Sequence, residues 1–306
     1  MKNTRLWILL ALVMALITAP HPTVTRMVVL DSDPFYWLFV RSLILVLATA
    51  PFVLRARRQL REKMTARYVL ESAVWMSIAV VCYVLAINYS QASYVAIISL
   101  IIPIVMVGLS IVLLGERMTR RATAGIILAA LGAMVLVVLP IALAQGELSF
   151  YPLATGLALV NAFGFSMSII RMRQANEHSH MPLTAIVGVY SLMVMTVSGG
   201  LFWWMGDPVR VSVSFEFWLA AIYSALWVAL LARILMVKVF ERLGAAFCSA
   251  MIYFETFLAV LLPVFILGEQ LSLTMVVGGT LILAGLYVIE HHKRRHARHH
   301  FVWRHH

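Results

Sequence analysis

Ten long apolar stretches, separated by short polar connections, constrain this chain more than any other feature. A helix needs about 20 mostly apolar residues to cross the hydrocarbon core of a bilayer. Lipid offers no partner to backbone N–H and C=O groups, so each crossing segment has to be a helix. The sequence therefore predicts an all-α integral membrane protein with ten transmembrane helices. The stretches are 6–30, 35–54, 68–88, 93–114, 122–143, 151–170, 182–205, 217–237, 245–267 and 273–289.

The composition argues against a soluble protein. Hydrophobic residues make up 62% of the chain and charged residues 12%, against roughly 45–50% and about 25% in soluble domains. The net charge of +11 does not indicate a nucleic-acid partner, because the bases lie in short runs between apolar stretches. Cys82 and Cys248 lie inside apolar stretches without metal-ligand spacing. The sequence has no Walker-type glycine loop and no soluble stretch large enough for an ATPase domain, so transport driven by ATP hydrolysis in this chain is not expected. It also has no metal-ligand constellation and no catalytic grouping, and we expect no metal, no cofactor and no enzyme activity.

The first apolar stretch resembles a signal peptide, since Lys2 and Arg5 precede it. However, Pro20 directly follows Ala19, which is the only plausible cleavage position. We therefore predict an uncleaved first helix. Two prolines flank His21 and interrupt this helix, which is tolerated only where the freed backbone groups face protein or a water-filled cavity.

The basic connections predict the orientation in the membrane. With ten helices, all of them fall on one side, and the positive-inside rule makes that side cytoplasmic. Nine or eleven helices would destroy this agreement. We expect both termini in the cytoplasm and the protein in a bacterial inner membrane. The bases are Arg55, Arg57, Arg58, Arg61, Lys63 and Arg67; Arg117, Arg120 and Arg121; Arg171 and Arg173; Lys238 and Arg242; and Lys293, Arg294 and Arg295.

An internal repeat divides the chain. Residues 113–119 (LLGERMT) match residues 266–272 (ILGEQLS) at an offset of 153, and two glycine pairs continue the match. Each half holds five helices, an odd number, so the second half must be inverted. We predict two inverted five-helix repeats, 1–146 and 147–290, followed by a basic histidine-rich tail, 291–306. Inverted repeats are typical of secondary transporters, with the substrate site near the midplane. The glycine pairs are Gly125 with Gly278 and Gly132 with Gly285.

The repeated motifs resemble the signature of EamA-type members of the drug/metabolite transporter superfamily. Pro103, thirteen residues before Glu116, matches the family's proline in the fourth helix, whereas Thr256 stands at the equivalent position of the second half. Arg41 resembles an arginine found in the family's second helix. The resemblance implies a central cavity lined by helices one to four and six to nine, with five and ten peripheral. It also implies alternating access, and substrates such as amino acids, metabolites or drugs.

Two charged residues inside predicted helices are the first site candidates. Glu255 lies midway along helix nine, where a buried charge costs at least about 2.5–3.5 kcal/mol. It is a candidate for contact with a cationic substrate group or for a protonatable coupling site; an ion pair with Arg41 or Arg233 is the structural alternative. Arg41 could bind a carboxylate or phosphate through its planar fork, or be held by backbone carbonyls.

Further candidates are polar or aromatic. His21 could line the cavity or end a helix at the interface. Asn161 could bind substrate or bond to a neighbouring helix. Four aromatic side chains at helical spacing form a hypothetical box for an apolar group or a quaternary ammonium, with ordinary packing as the alternative. The four are Trp75, Tyr83, Tyr223 and Trp227.

Structural roles are expected for the two repeated glutamates, Glu116 and Glu269. Each can cap the helix that follows it by accepting free N–H groups. The tail His291–His306 is predicted to contact anionic lipid head groups rather than a metal. Helices five and ten carry the repeated glycines and could support a homodimer or pack within the chain.

The prediction from sequence is a secondary transporter that exports small metabolites such as amino acids by alternating access, with protons as a candidate coupling ion. Its expected partners are a small-molecule substrate and membrane lipids. The first alternative is a multidrug or quaternary-amine exporter using Glu255 and the aromatic side chains. An alternative of another class is a membrane enzyme or lipid-handling protein, which would need a cluster of polar groups at one membrane face.

Overall fold

The computed structural model describes residues 2–90, 95, 98–116, 118–143, 151–267, 273, 276–285 and 287–288. Regular structure in these residues is helical throughout, and no strand occurs among them. A 3₁₀ turn, Ala56–Arg61, joins the third and fourth helices, and a π-helical segment, Tyr223–Ala232, joins the ninth and tenth. The helices are α1 Lys2–Thr18, α2 His21–Asp31, α3 Pro34–Arg55, α4 Lys63–Tyr89, α5 Ile102–Leu114, α6 Arg120–Leu143, α7 Pro152–Ser179, α8 Leu183–Met205, α9 Phe215–Ile222, α10 Arg233–Leu267 and α11 Val276–Gly285.

The helices reproduce the predicted membrane crossings. Six helical segments of the described residues are long and apolar enough to span a bilayer, and α5 and α11 are shorter apolar helices. One of the six, Phe215–Leu258, has 44 residues, which is about 66 Å of helix, or twice the hydrocarbon core. Gly244 divides it with φ 80° and ψ 169°, a conformation that glycine adopts without steric cost. The chain therefore crosses once before Gly244 and once after it.

The first crossing is made by two helices rather than one. α1 ends at Thr18 and α2 begins at His21, with Pro22 in the first turn of α2. A proline costs little there, because the first N–H groups of a helix have no intrahelical partner. The break predicted from Pro20 and Pro22 is present, and it faces the cavity described below.

Helix packing shows the symmetry of the two repeats. α3 packs on α8, its own counterpart at the repeat offset. α1 packs on the π-helical segment and on α10, while the equivalent α7 packs on α4 and α5. Exchanging the two halves of the chain converts the contacts of α1 into those of α7, and those of α7 into those of α1. This is the arrangement expected of two inverted five-helix repeats.

The repeated glycines meet where α6 crosses α11. A Cβ atom added to Gly132 would lie 2.7 Å from the carbonyl oxygen of Gly278. A Cβ atom added to Gly285 would lie 2.5 Å from the carbonyl oxygen of Gly125. The contact is reciprocal, so the four glycines let the two peripheral helices touch backbone to backbone within one chain. A homodimer would therefore have to use another surface.

Charged residues gather at one end of the bundle, which we call the basic end. Glu71 accepts a hydrogen bond from Arg67 at 2.7 Å and forms an ion pair with Arg171, whose Nε lies 2.7 Å from its carboxylate. Lys238 lies 2.8 Å from Glu241 and donates to the amide oxygen of Asn176 at 2.9 Å. These contacts bring the ends of α4, α7 and the first part of α10 together, as the ten-helix topology requires.

The opposite end is held by a different set of bonds. The carboxylate of Asp33 accepts from the backbone N–H groups of Phe35, Tyr36 and Asp207 at 2.8–3.0 Å. Arg210 donates to the carbonyl oxygens of Val29 and Leu30, both at 2.9 Å. The start of α3 and the connection between α8 and α9 are thereby fixed to the end of α2.

Candidate functional site

A cavity of about 220 Å³ lies between the two repeats. Its described lining comes from α1, α2, α3, α4, α5, α7, the π-helical segment, α10 and the residues just before α5. Described residues of α6 and α11 take no part, which agrees with their peripheral position. α8 was also expected to line the cavity, but none of its described residues does. More than half of the described lining residues are apolar. The polar or charged ones are Thr18, His21, Arg41, Tyr83, Ser99, Asn161, Arg233, Glu255 and Thr256.

Arg41 of α3 is buried in the wall of the cavity with 7% of its surface exposed. No hydrogen bond or ion pair joins its guanidinium group to another of the residues described. In the described part of the chain, no backbone carbonyl accepts a hydrogen bond from Arg41, as one of the two interpretations of this residue had required. A buried guanidinium with five N–H donors thus faces the cavity without a hydrogen-bond or ion-pair partner among the described residues.

Arg233, at the start of α10, is packed against an aromatic ring. Its guanidinium carbon lies 4.4 Å from the ring centroid of Phe165, and one terminal nitrogen lies 3.9 Å from the sulfur of Met236. Its Nε is buried and makes no hydrogen bond to another described residue. The nearby Tyr190 hydroxyl of α8 donates to the carbonyl oxygen of Ala229 at 2.7 Å. Arg41 and Arg233 are close enough to repel each other electrostatically.

Glu255 brings the opposite charge to the same cavity. It lies between Gly244 and the end of α10, within reach of the Thr18 hydroxyl and of the electrostatic field of Arg233. Within the described ranges, no Lys, Arg or His nitrogen lies within 4.0 Å of its carboxylate. The ion pair with Arg41 or Arg233 considered from the sequence is therefore not formed in this conformation.

His21 and Asn161 also face the cavity. The imidazole Nε2 of His21 lies 3.1 Å from Oγ of Ser224 and 3.4 Å from Oγ1 of Thr25, and its ring stacks on Tyr83 at 6.0 Å. Asn161 is 5% exposed and makes no side-chain hydrogen bond to another described residue. Asn161 was predicted either to bind substrate or to hydrogen-bond to a neighbouring helix. The second kind of bond does not occur in the described part of the chain.

The four aromatic candidates do not form one box. Tyr83 lines the cavity, and the Tyr223 hydroxyl instead donates to the carbonyl oxygen of Ile17 at 2.6 Å, bracing the end of α1. Trp75 packs edge to face on Phe163 at 5.2 Å, and Trp227 is 52% exposed on the outer surface. Helical spacing predicted that the two aromatic side chains of each pair share one face of their helix. It did not predict whether that face borders the cavity, another helix or the lipid.

Glu116 caps a helix, but not the one that follows it in sequence. Its Oε2 accepts from the backbone N–H of Ala245 at 3.2 Å, and its Oε1 accepts from Arg173 at 2.6 Å. The start of α6 has its own cap, since Thr119 Oγ1 accepts from the N–H of Ala122 at 3.2 Å. Glu116 therefore links the two repeats at the basic end, and we call this contact the Glu116 bridge. Glu269 and the tail 291–306 lie outside the described residues.

Sequence reasoning undervalued one residue of the cavity. Arg233 was considered only as a structural partner of Glu255, although it lies inside a predicted crossing as Arg41 does. Its position within the apolar stretch 217–237 was the available signal. No group of three or more His, Cys, Asp or Glu side chains suited to a metal occurs among the described residues.

These features define a class of protein: an all-helical integral membrane protein with two inverted repeats around a central charged cavity. Within that class, the model of the EamA-like transporter family matches residues 5–138 and 153–290. The chain belongs to this family, whose description is that of membrane transporters of small molecules. The two matched ranges lie on either side of the predicted repeat boundary at 146–147, which remains a prediction.

Solved structures show the same fold. One of them, described as "Crystal structure of protein", aligns with a TM-score of 0.73 at 17% sequence identity. The alignment covers 94% of this chain and 97% of that chain. In total, 27 chains of solved structures match. No curated protein sequence matches significantly.

Proposed function

We propose that this protein is a secondary transporter that exports small metabolites such as amino acids by alternating access. The observation that carries the proposal is the cavity between the inverted repeats, which holds charged groups of both signs from inside the apolar helices, where we expect the middle of the membrane. Charges at that depth are costly and mark substrate or ion pathways. In transporters built from inverted repeats, the site lies at the repeat interface beside interrupted helices. The break between α1 and α2 supplies such an interruption.

The dimensions of the cavity favour small metabolites over drugs. Drug-sized ligands occupy pockets of about 300–1,000 Å³, whereas this cavity measures about 220 Å³. The aromatic box on which the multidrug alternative depended is not assembled around it. These two observations support the narrower substrate class. Outward transport rests on the family resemblance.

Contacts at the two ends of the cavity bear on alternating access. The basic end is held by the Glu116 bridge and by buried side chains of α4, α7 and α10 such as Val69, Ile169 and Phe240. On the other side the cavity ends at Ile87 near the end of α4 and at Val95 before α5, which are buried in a second hydrophobic cluster. For the cavity to open to one side, the contacts at that end have to break. By the positive-inside rule, we place the basic end and both termini in the cytoplasm of a bacterial cell.

A transporter explains the polar groups better than an enzyme does. A membrane enzyme would need a free polar cluster at one membrane face. At the basic end, Glu71, Glu116 and Glu241 are all engaged in ion pairs. Arg41 and Glu255, which have no ion-pair partner among the described residues, lie instead in the cavity. We therefore infer transport rather than catalysis.

The test is counterflow in proteoliposomes. Vesicles containing the purified full chain are loaded with unlabelled amino acid, and uptake of radiolabelled amino acid is followed, with quaternary amines and nucleosides as parallel substrates and protein-free vesicles as the control. We expect saturable uptake of amino acids that depends on the internal load. Counterflow of quaternary amines alone would support the multidrug alternative. Absence of counterflow across the panel would contradict the proposal.

A repeat of the same assay with an imposed pH gradient tests the coupling ion. Acceleration of amino-acid flux by the gradient would support proton coupling. Equal flux with and without the gradient would exclude it.

A further inference from the structure

Arg41 is a buried cation without a partner among the described residues. It is 7% exposed, and it faces the cavity without a hydrogen bond or ion pair to any other residue that the structure describes. Removing a cation from water is costly unless it is paired and hydrogen-bonded. The contents of the cavity, solvent or a bound solute, can supply the partner of this guanidinium.

We propose that Arg41 binds the carboxylate of the transported solute, so that the substrates are small monocarboxylates with an apolar side chain. This inference rests on the proposed transport function and names its substrate class. Guanidinium and carboxylate groups form two parallel charge-assisted hydrogen bonds, which fix orientation as well as affinity. Arg41 is free to form both, because none of its donors is engaged by the described part of the protein.

Arg233 is less free for this role. Its guanidinium packs on the Phe165 ring at 4.4 Å, and one terminal nitrogen lies 3.9 Å from the sulfur of Met236. Arg41, Arg233 and Glu255 together leave the described lining of the cavity with one net positive charge. A carboxylate carries one negative charge, whereas a phosphate monoester carries about 1.5 to 2 at neutral pH. The charges of the cavity thus match a carboxylate better than a phosphate.

The rest of the cavity suits an apolar substituent. Val80, Ile87, Ile102, Val228 and Ile252 contribute to the lining. Apolar walls with a few convergent polar groups are typical of small-molecule sites. A substrate held by its carboxylate at Arg41 can place an aliphatic or aromatic side chain against these residues.

Binding to the full chain in detergent tests the substrate class separately from flux. The probes are leucine, N-acetylleucine, which keeps the carboxylate, and leucinamide, which lacks it; binding is measured by isothermal titration calorimetry. We expect leucine and N-acetylleucine to bind and leucinamide to bind at least about tenfold more weakly, since hydrogen bonds between charged groups are lost. Equal affinity for leucinamide, or absence of binding by both carboxylates, would overturn the assignment.

Substitutions at Arg41 test the residue itself. We expect Arg41→Gln to weaken leucine binding by about tenfold to a hundredfold and Arg41→Lys to weaken it less, because it keeps the charge but loses the planar fork. Arg67→Gln is the matched control, since this exposed arginine pairs with Glu71 at the basic end, and it should bind as the original protein does. The thermal midpoint without ligand should not fall in Arg41→Gln, because no described partner is left unpaired.

Flux measurements on the same variants separate the two proposals. Undiminished leucine binding and counterflow by Arg41→Gln would overturn the role of Arg41 while leaving the transport function intact. Carboxylate-dependent binding by the original protein without counterflow would remove the transport function and leave the carboxylate site standing.

Discussion

At the residue level, charged side chains at the basic end and in the cavity differ in their pairing. At the basic end, several arginines and glutamates form ion pairs, as in the contacts of Glu71 with Arg67 and Arg171. In the cavity, Arg41 and Glu255 have no ion-pair partner among the described residues. Paired groups at a membrane surface contribute modestly to stability. Unpaired groups at mid-membrane depth cost free energy, and a protein retains them when a solute or ion completes the site.

A substitution at Glu255 follows from this distinction. Glu255→Gln removes a buried charge. Because no described cation lies within 4.0 Å of this carboxylate, none loses an ion-pair partner, and the thermal midpoint should stay the same or rise. Leucine binding should weaken by about tenfold, since its ammonium loses a charged acceptor, whereas N-acetylleucine, which has no ammonium, should be unaffected.

Isothermal titration with the two ligands checks this prediction, and Glu71→Gln at the basic end is the matched carboxylate control. Equal loss of affinity for both ligands would show that Glu255 does not contact the ammonium. A lower thermal midpoint would show that its carboxylate has a structural partner.

The site was harder to predict than the fold, for reasons visible at single positions. Arg41, Glu255, His21 and Asn161 were identified as cavity candidates because polar groups inside apolar stretches are rare, and the structure places all four in the lining. Whether any of them binds substrate stays a prediction. The sequence could not show that Tyr83 lines the cavity whereas Trp75 and Trp227 do not. An aromatic ring can equally face lipid, a neighbouring helix or a cavity.

At the element level, the helices were predictable because an apolar stretch in lipid has few other ways to satisfy its backbone. Each predicted stretch contains a helix among the described residues. Helix contacts were less predictable. The spacing of the LGE motifs suggested that Glu116 caps α6, but its carboxylate reaches Ala245 in the other repeat, and local sequence does not carry that long-range pairing.

The crossing of α6 and α11 provides a test at this level. Gly132→Ala places a methyl group 2.7 Å from the Gly278 carbonyl oxygen, a separation that forces the helices apart. Overpacking of this kind costs about 1–3 kcal/mol, so the thermal midpoint in detergent should fall by several degrees.

Gly108→Ala is the control for that measurement. Gly108 lies inside α5, and a Cβ atom there meets nothing within 4 Å. Its replacement by alanine should leave the midpoint unchanged or raise it, since alanine is the better helix former by up to about 1 kcal/mol. Equal midpoints for Gly132→Ala and the original protein would show that α6 and α11 do not meet at this glycine.

At the level of the whole molecule, the two ends of the bundle are held by different contacts. The basic end is held by buried apolar side chains and by the Glu116 bridge between α5, α7 and α10. The other end is held by a second cluster of buried apolar side chains and by the hydrogen bonds of Asp33 and Arg210. Alternating access requires the contacts of the basic end to break when the cavity opens towards it. The Glu116 bridge joins the two repeats, so it has to break in that step.

Cross-linking of the basic end tests this central claim most directly. Glu116→Cys and Arg173→Cys are combined in a chain with Cys82→Ser and Cys248→Ser, and the pair is joined by a bifunctional methanethiosulfonate, which a reducing agent removes. Arg67→Cys with Glu71→Cys, within α4, is the matched control pair, because its cross-link does not connect the repeats. The account predicts that cross-linking 116 to 173 abolishes leucine counterflow, that reduction restores it, and that the control pair remains active throughout. Full counterflow with the 116–173 link in place would contradict alternating access at this end.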